Sequence, residues 1–365
     1  MDFTPTEAQN DLARLTAEVC GKLVTADRLR ELDSAGRFDE QLWKALAETG
    51  VLAAALPEDL GGSAFGPQEQ AAVLRELGRV VAAVPYLWSI ALGAGALAAF
   101  GDADQRALAA RAGAGEAVLT VALSAELRSV TDEPAVEAVG TGEGWTLTGA
   151  ATTVPYADRA ERILVPARTS GGVAVFLVDP DQDSVRRTAQ QVVDLSPEFE
   201  VTFAGAPAEL VGTVDRGAEI LDWLRLRGWL GLSALQLGTL ERALDLTAEH
   251  GRTREQFGKA IGSFQSVAQR LADAYIDIQG LRLTVTQAAW RLAENLPAAE
   301  SVHIAKFWAA DAGHRVAHTI VHVHGGLGID RDHIVHNYFT AAKHQEFALG
   351  AAPDHLRALG SLLAG

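Results

Sequence analysis

Apolar residues recur at every third or fourth position over four stretches near the start of the chain, 6–24, 38–49, 68–81 and 86–100, and this spacing predicts a helix in each. Ala and Leu, the strongest helix formers among apolar residues, dominate those positions. The join from Leu56 to Gly66, LPEDLGGSAFG, reads as a loop because a proline and three glycines interrupt regular backbone. From about 116 the period changes. Short runs rich in β-branched and aromatic residues follow, 117–123, 135–139, 145–147, 163–167, 173–178 and 199–203, punctuated by GTGEGW, TSGG and DPDQD. They predict an antiparallel sheet, most simply a small barrel. From about 216 the helical spacing returns in its most regular form, with Leu230, Leu232, Leu235, Leu237, Leu240, Leu244 and Leu246 on one stripe. Val267, Leu271, Ala274, Ile276, Ile278, Leu281 and Leu283 mark a second stripe, and HVHGGLGIDRDH forms a final turn-rich corner. The chain therefore divides into a helical region 1–115, a β region 116–214 and a helical region 215–365.

Composition narrows the picture without changing it. With 365 residues and 48% apolar content there is ample material for two or three packed cores. A formal net charge of −16 argues against a nucleic-acid partner, which needs clusters of Lys and Arg against phosphate. No apolar run reaches the roughly 18 residues needed to cross a bilayer; Val80 to Phe100 comes nearest and is broken by Pro85, Ser89, Gly93 and Gly95. MDFTPTEAQ has neither the basic flank nor the apolar core of a signal peptide, and Cys20 alone builds no disulfide within the chain. A cytoplasmic protein with no membrane or nucleic-acid partner is expected.

The chemistry concentrates between the two last stripes, in RTREQFGKAIGSFQ from Arg252 to Gln265. Arg252 and Arg254 flank the C-terminal end of a helix, where positive charge complements the macrodipole, and Gly258 and Gly262 allow a turn. Taken alone, this is a helix–turn–helix corner with charged caps. The order of residues says more. A guanidinium two residues before Gln256, then Phe257-Gly258, an apolar pair and Phe264-Gln265 resemble the signature of the acyl-CoA dehydrogenase flavoprotein family. The stretch 42–79, with its Pro-Glu and Gly-Gly loop, resembles the N-terminal domain of that family, and His324-Gly325-Gly326-Leu327-Gly328 resembles its C-terminal HGGxG turn. The likeness covers essentially the whole chain. It implies an N-terminal α-helical domain, a middle antiparallel β-barrel domain and a C-terminal four-helix bundle. It also implies FAD as cofactor, with Arg254 forked onto the pyrophosphate, a geometry that a planar guanidinium makes and a Lys does not. Gln256, Phe257 and Gln265 join that half-site, and Gly325 and Gly326 let backbone approach the adenosine portion. A Gln usually precedes the turn; here His322 stands there, able to donate one hydrogen bond. In this family the corner serves a flavin held mainly by the neighbouring subunit.

Elsewhere the family pattern fails. Active members carry a Thr-Glu-Pro segment followed by Gly-Ser-Asp along the flavin, where this chain reads VALSAELRSVTDEP. They carry a Trp-Ile-Thr-like segment against the flavin ring, where this chain has Thr153 and Pro155, and Pro155 has no N–H to give. Removing the α proton of an acyl thioester needs a carboxylate in an apolar pocket. The usual position of that Glu falls on Leu349 and the minority position on Gly228, neither of which takes a proton. Glu346, one turn before Leu349, is the remaining candidate base, and its bland reading is a helix-surface carboxylate. His314, His318 and His322 recur every four residues, a spacing seen on zinc-binding helices; without Cys or an HExxH pattern to complete a ligand shell, a solvated or interface face is expected and no metal.

The losses are selective. Groups that serve a neighbour's flavin are kept, and groups that would serve a flavin and acyl chain on the chain's own barrel are gone. The pattern resembles the non-catalytic β subunit of actinobacterial heterotetrameric (α2β2) acyl-CoA dehydrogenases of steroid side-chain degradation. That resemblance implies a homologous catalytic subunit as partner, a shared FAD, an acyl-CoA substrate and α,β-desaturation, with the base and the flavin face on the partner. Two other readings stay open: a homo-oligomeric dehydrogenase with a displaced base such as Glu346, and a scaffold that binds no flavin.

Overall fold

The computed structural model describes residues 3–129, 131–141 and 144–364; Gly142 and Glu143, in the expected GTGEGW turn, lie outside them, as does Val130 in the segment 121–134. Helix α1 (Glu7–Leu23) opens with a reciprocal capping box between Thr6 and Gln9. Then come α2 (Ala26–Ser34), α3 (Glu40–Glu48), α4 (Pro67–Arg79), a π-helix (Tyr86–Ala94) continued by α5 (Gly95–Phe100), and α6 (Ala103–Gly113). All four helices expected from the spacing form. Helices α2 and α6 are additions: ADRLRELDS offers only two leucines and the apolar residues of ADQRALAARAG are mostly alanines, so neither carries a stripe to read. The Pro57 to Gly66 join is irregular, as expected, with a short 3₁₀ turn, Glu58–Leu60. A Cβ on Gly62 would lie 1.9 Å from the Leu56 carbonyl oxygen, so backbone passes backbone there.

The β region holds β1 (Leu119–Val121), β2 (Glu137–Thr141), β3 (Gly144–Pro155), β4 (Arg162–Thr169), β5 (Gly172–Val178), β6 (Val185–Gln190) and β7 (Glu198–Val211). Pairing runs β4–β2–β3–β7–β5 and returns to β4, which closes a barrel, while β6 pairs with β7. The expected antiparallel order holds except at β4, which pairs parallel with β1 and, through Glu137 and Arg168, with β2. The interior is apolar, with Leu147, Val154, Ile163, Val165, Phe176, Val201 and Phe203 nearly inaccessible to solvent. Strand β6, VRRTAQ, was not expected because only Val185 and Ala189 in it are apolar.

Helix α7 (Gly217–Thr253) spans 37 residues. A hairpin of β8 (Glu255–Gln256) and β9 (Lys259–Ala260) follows, then α8 (Gln265–Ala293), α9 (Ala299–His324), α10 (Ile334–Phe347) and α11 (Ala352–Ala364). Compactness groups the described chain into two units, one of residues 1–31, 71–82 and 229–365 and the other of 32–70 and 83–228. In the first unit, the amide of Gln236 on α7, fully buried, donates to the carbonyls of Ala309 on α9 and Ala342 on α10 at 3.2 and 3.1 Å. Glu241, also buried, accepts from Arg75 and Arg79 on α4 and Arg282 on α8, so one carboxylate ties three helices. Among the described residues no helix is long and apolar enough to cross a membrane.

Candidate functional site

The last turn of α7 and the last turn of α9 meet through their histidines. His250 and His324 stack with ring centroids 4.4 Å apart and 20° between planes. The His250 carbonyl accepts the Arg254 N–H at 2.9 Å, and His324 leads directly into Gly325, so the RTREQFG corner and the HGGLG turn lie side by side in one unit. Phe257 and Gly258 are the two-residue loop of the β8–β9 hairpin, both at positive φ, 53° and 77°. Phe257 is 93% exposed. Gly262 has a different role from the turn-forming one expected: its φ is not left-handed, and a Cβ there would sit 2.9 Å from the Gly251 oxygen, so glycine lets the two arms of the corner touch.

The two arginines part company. The guanidinium of Arg252 donates to Glu249 at 2.7 and 3.1 Å. Arg254 is exposed and carries no ion pair among the described residues. Gly325, at φ 60°, and Gly326 have open space where a Cβ would stand. His322 is exposed two residues before His324. Gln265 opens α8, exposed to solvent, while the exposed Gln256 side chain donates to the Glu255 carbonyl at 2.7 Å. An exposed unpaired guanidinium beside side-chain-free backbone suits an anion whose contacts must be close, such as a pyrophosphate.

At Leu349, the usual position of the base, the backbone is tied into a cluster of aromatic and imidazole rings. Leu349 follows α10 at φ 50°, and its carbonyl accepts the indole N–H of Trp229, the residue after Gly228, at 3.0 Å. The same carbonyl lies 3.1 Å from Nε2 of His355, which fixes the proton on that nitrogen. His355 Nδ1 is then the acceptor for His303 Nδ1–H at 2.9 Å, with Trp229 packed over both rings. Burial pulls His303 down to about 4; burial first, then the charges of Lys306 and His303, takes His355 down to about 3. Lys306, 0% exposed, donates to the carbonyls of Gln345, Glu346 and Gly350 at 3.2, 3.3 and 2.9 Å. Burial pulls it down to about 7, while three carbonyls match the three protons of an ammonium.

Glu346 is not the helix-surface carboxylate of the bland reading. It is 8% exposed, with Lys343 donating to it at 2.6 Å and His314 Nδ1 at 3.1 Å. A Glu–Lys–His cluster explains its burial, because a charge leaves water only when paired. His314, His318 and His322 are exposed, and among the described residues no three metal-ligating side chains converge.

On the barrel, β3 bulges between Ala151 and Val154. Its backbone donors are spent internally: Thr152 N–H on the Ser124 carbonyl at 3.1 Å and Thr153 N–H on Gln190 Oε1 at 2.7 Å. Pro155 brings no donor, and its carbonyl takes the Thr120 hydroxyl. The backbone N–H groups of Thr152 and Thr153 are therefore not free for the polar edge of a flavin ring. His250, Gln190, Trp229, His303, Lys306 and His355 were all missed in the sequence, since each is defined by a partner distant along the chain.

Residues 6–112 match the family described as Acyl-CoA dehydrogenase, N-terminal domain, and residues 217–360 the Acyl-CoA dehydrogenase, C-terminal domain. Acyl-CoA dehydrogenase FadE27 of Mycobacterium tuberculosis is 50% identical, over 100% of this chain and 99% of that protein. A chain in the crystal structure of the ChsE4-ChsE5 complex from Mycobacterium tuberculosis superposes with a TM-score of 0.95 at 51% identity, covering 100% of this chain and 99% of that one. A chain of a Tcur3481-Tcur3483 steroid ACAD variant gives 0.93 at 35% identity, with 98% of both chains covered.

Proposed function

The chain belongs to the acyl-CoA dehydrogenase family, oxidoreductases acting on CH–CH bonds, and from that premise we propose that it is the non-catalytic subunit of a two-component enzyme that desaturates an acyl-CoA, its substrate class being a steroid side-chain thioester. In this reading, domains 1–115, 116–214 and 215–365 act in a cytoplasmic α2β2 assembly with a homologous catalytic subunit. Arg254, Gln256, Phe257, Gln265, His322, Gly325 and Gly326 complete the pyrophosphate and adenosine half of an FAD whose ring lies on the partner. FAD supplies the oxidising capacity when bound. The open guanidinium and glycine backbone fit its phosphate half; the spent donors of the β3 bulge do not fit its ring.

One observation carries the reading. Neither Leu349 nor Gly228 has a side chain that takes a proton, and the Leu349 carbonyl is tied to Trp229 and His355 in an aromatic and imidazole cluster. The likeness to a chain of the ChsE4-ChsE5 complex and to one of a steroid ACAD supports both the pairing and the substrate class. Co-expression with a homologous catalytic subunit and measurement of FAD per chain tests it. Half an FAD per chain is expected; one per chain would hand the case to a homo-oligomer, and none to a scaffold.

A further inference from the structure

The stack of His250 on His324 lies against the proposed pyrophosphate corner, and nothing assigned so far uses it. His324 is 7% exposed, its Nδ1 bonded to the Ile320 carbonyl at 3.0 Å, which leaves Nε2 to take a second proton. His333 stands 5.5 Å from His324, its Nδ1 accepting the Val335 N–H at 3.3 Å. The charged and titratable groups that act on the pair are Arg254, at the end of α7, and His333, at the start of α10. Burial first, then Arg254 and His333, hold His250 below the ordinary imidazole value; burial first, then His250 and His333, do the same to His324 against the pull of the Ile320 carbonyl.

We propose that the stacked imidazoles His250 and His324 couple the capture of the cofactor pyrophosphate at Arg254 to the uptake of one proton, which the pair shares behind the guanidinium. The inference rests on the split-site reading. An anion on Arg254 cancels the charge that disfavours an imidazolium next to it, so the ring nitrogen gains basicity as the phosphate arrives. Two imidazoliums at stacking distance repel, so one proton is the limit. Affinity is then flat above the bound-state pKa, tightens as pH falls towards the lowered free-state value, and levels off below it.

The test is calorimetric titration of FAD into the apo-complex with the catalytic subunit, from about pH 8 to about pH 5.5, in buffers of different ionisation heat. Wild type is expected to bind about 5- to 10-fold tighter at the acid end and to take up a substantial fraction of a proton per FAD. His250→Phe, which keeps a stacking ring without a basic nitrogen, is expected to flatten both. A flat wild-type profile without proton uptake overturns the proposal, as does an unchanged slope in His250→Phe; the wild-type measurement decides alone if the variant does not fold. Arg254→Ala separates the two levels. If it weakens FAD while wild type shows no proton linkage, the coupling is wrong and the split site stands; if it leaves FAD untouched at every pH, the half-site itself is wrong and the coupling falls with it.

Discussion

Arg252 and Arg254 are identical side chains two residues apart, and their surroundings assign them different work. A fork onto a pyrophosphate makes two charge-assisted bonds, each worth roughly 1.5 to 3 kcal/mol, so Arg254→Ala should weaken FAD in the assembled enzyme by about a hundredfold. Arg254→Lys should be intermediate, keeping attraction without the fork. Arg252→Ala should do much less, because that guanidinium is already taken by Glu249; equal effects from both would mean that the wrong face of the corner was assigned to the cofactor. Glu346→Gln should leave turnover within a few-fold, where loss of a general base costs about 100- to 10,000-fold. It should instead lower stability, since Lys343 and His314 lose a buried carboxylate partner. Arg254 and the glycines could be read in the sequence because an ordered motif carries them. The burial of Glu346 could not, because its partner His314 lies 32 positions away on another helix.

At the scale of elements, the join between α10 and α11 is held by groups that prefer to be neutral. His303 and His355 gain a proton at about pH 6.5 when unfolded but resist it to about 4 and 3 when folded. The unfolded chain therefore binds more protons over that interval, and the contribution of the two histidines is complete above about pH 6.5 and lost as pH falls below it. Urea unfolding of the chain should show a loss of up to about 4 kcal/mol between about pH 7 and pH 5, about 2 from each histidine. His355→Gln, whose amide can meet both the Leu349 carbonyl and His303 Nδ1–H, should remove roughly half of that slope. Identical slopes in the two proteins would place the titration elsewhere. The helices themselves were legible wherever a leucine stripe marks them, as in α7, and not where alanine or charge replaces it, as in α6 and α2. Strand β6 escaped for the same reason, and the hairpin of β8 and β9 because two-residue strands leave no period to detect.

For the molecule as a whole, the order helical, β, helical was visible from texture alone, whereas the closing of the barrel through parallel contacts of β4 depends on pairings distant in sequence. The split-site reading makes a demand on the entire chain: restoring one part should not restore the enzyme. Leu349→Glu, which puts a carboxylate back at the usual base position, should give the isolated chain neither yellow colour nor acyl-CoA turnover, because Thr152 and Thr153 still spend their donors on Ser124 and Gln190. Flavin absorbance and turnover in that single variant would show that the barrel face had been misjudged. The same two bonds bear on the economy of the cell that makes this protein. On the split-site reading a barrel that satisfies its own donors has no claim on flavin, so copies made in surplus over the partner would wait as colourless spares, and the demand for riboflavin would be set by the partner's synthesis alone.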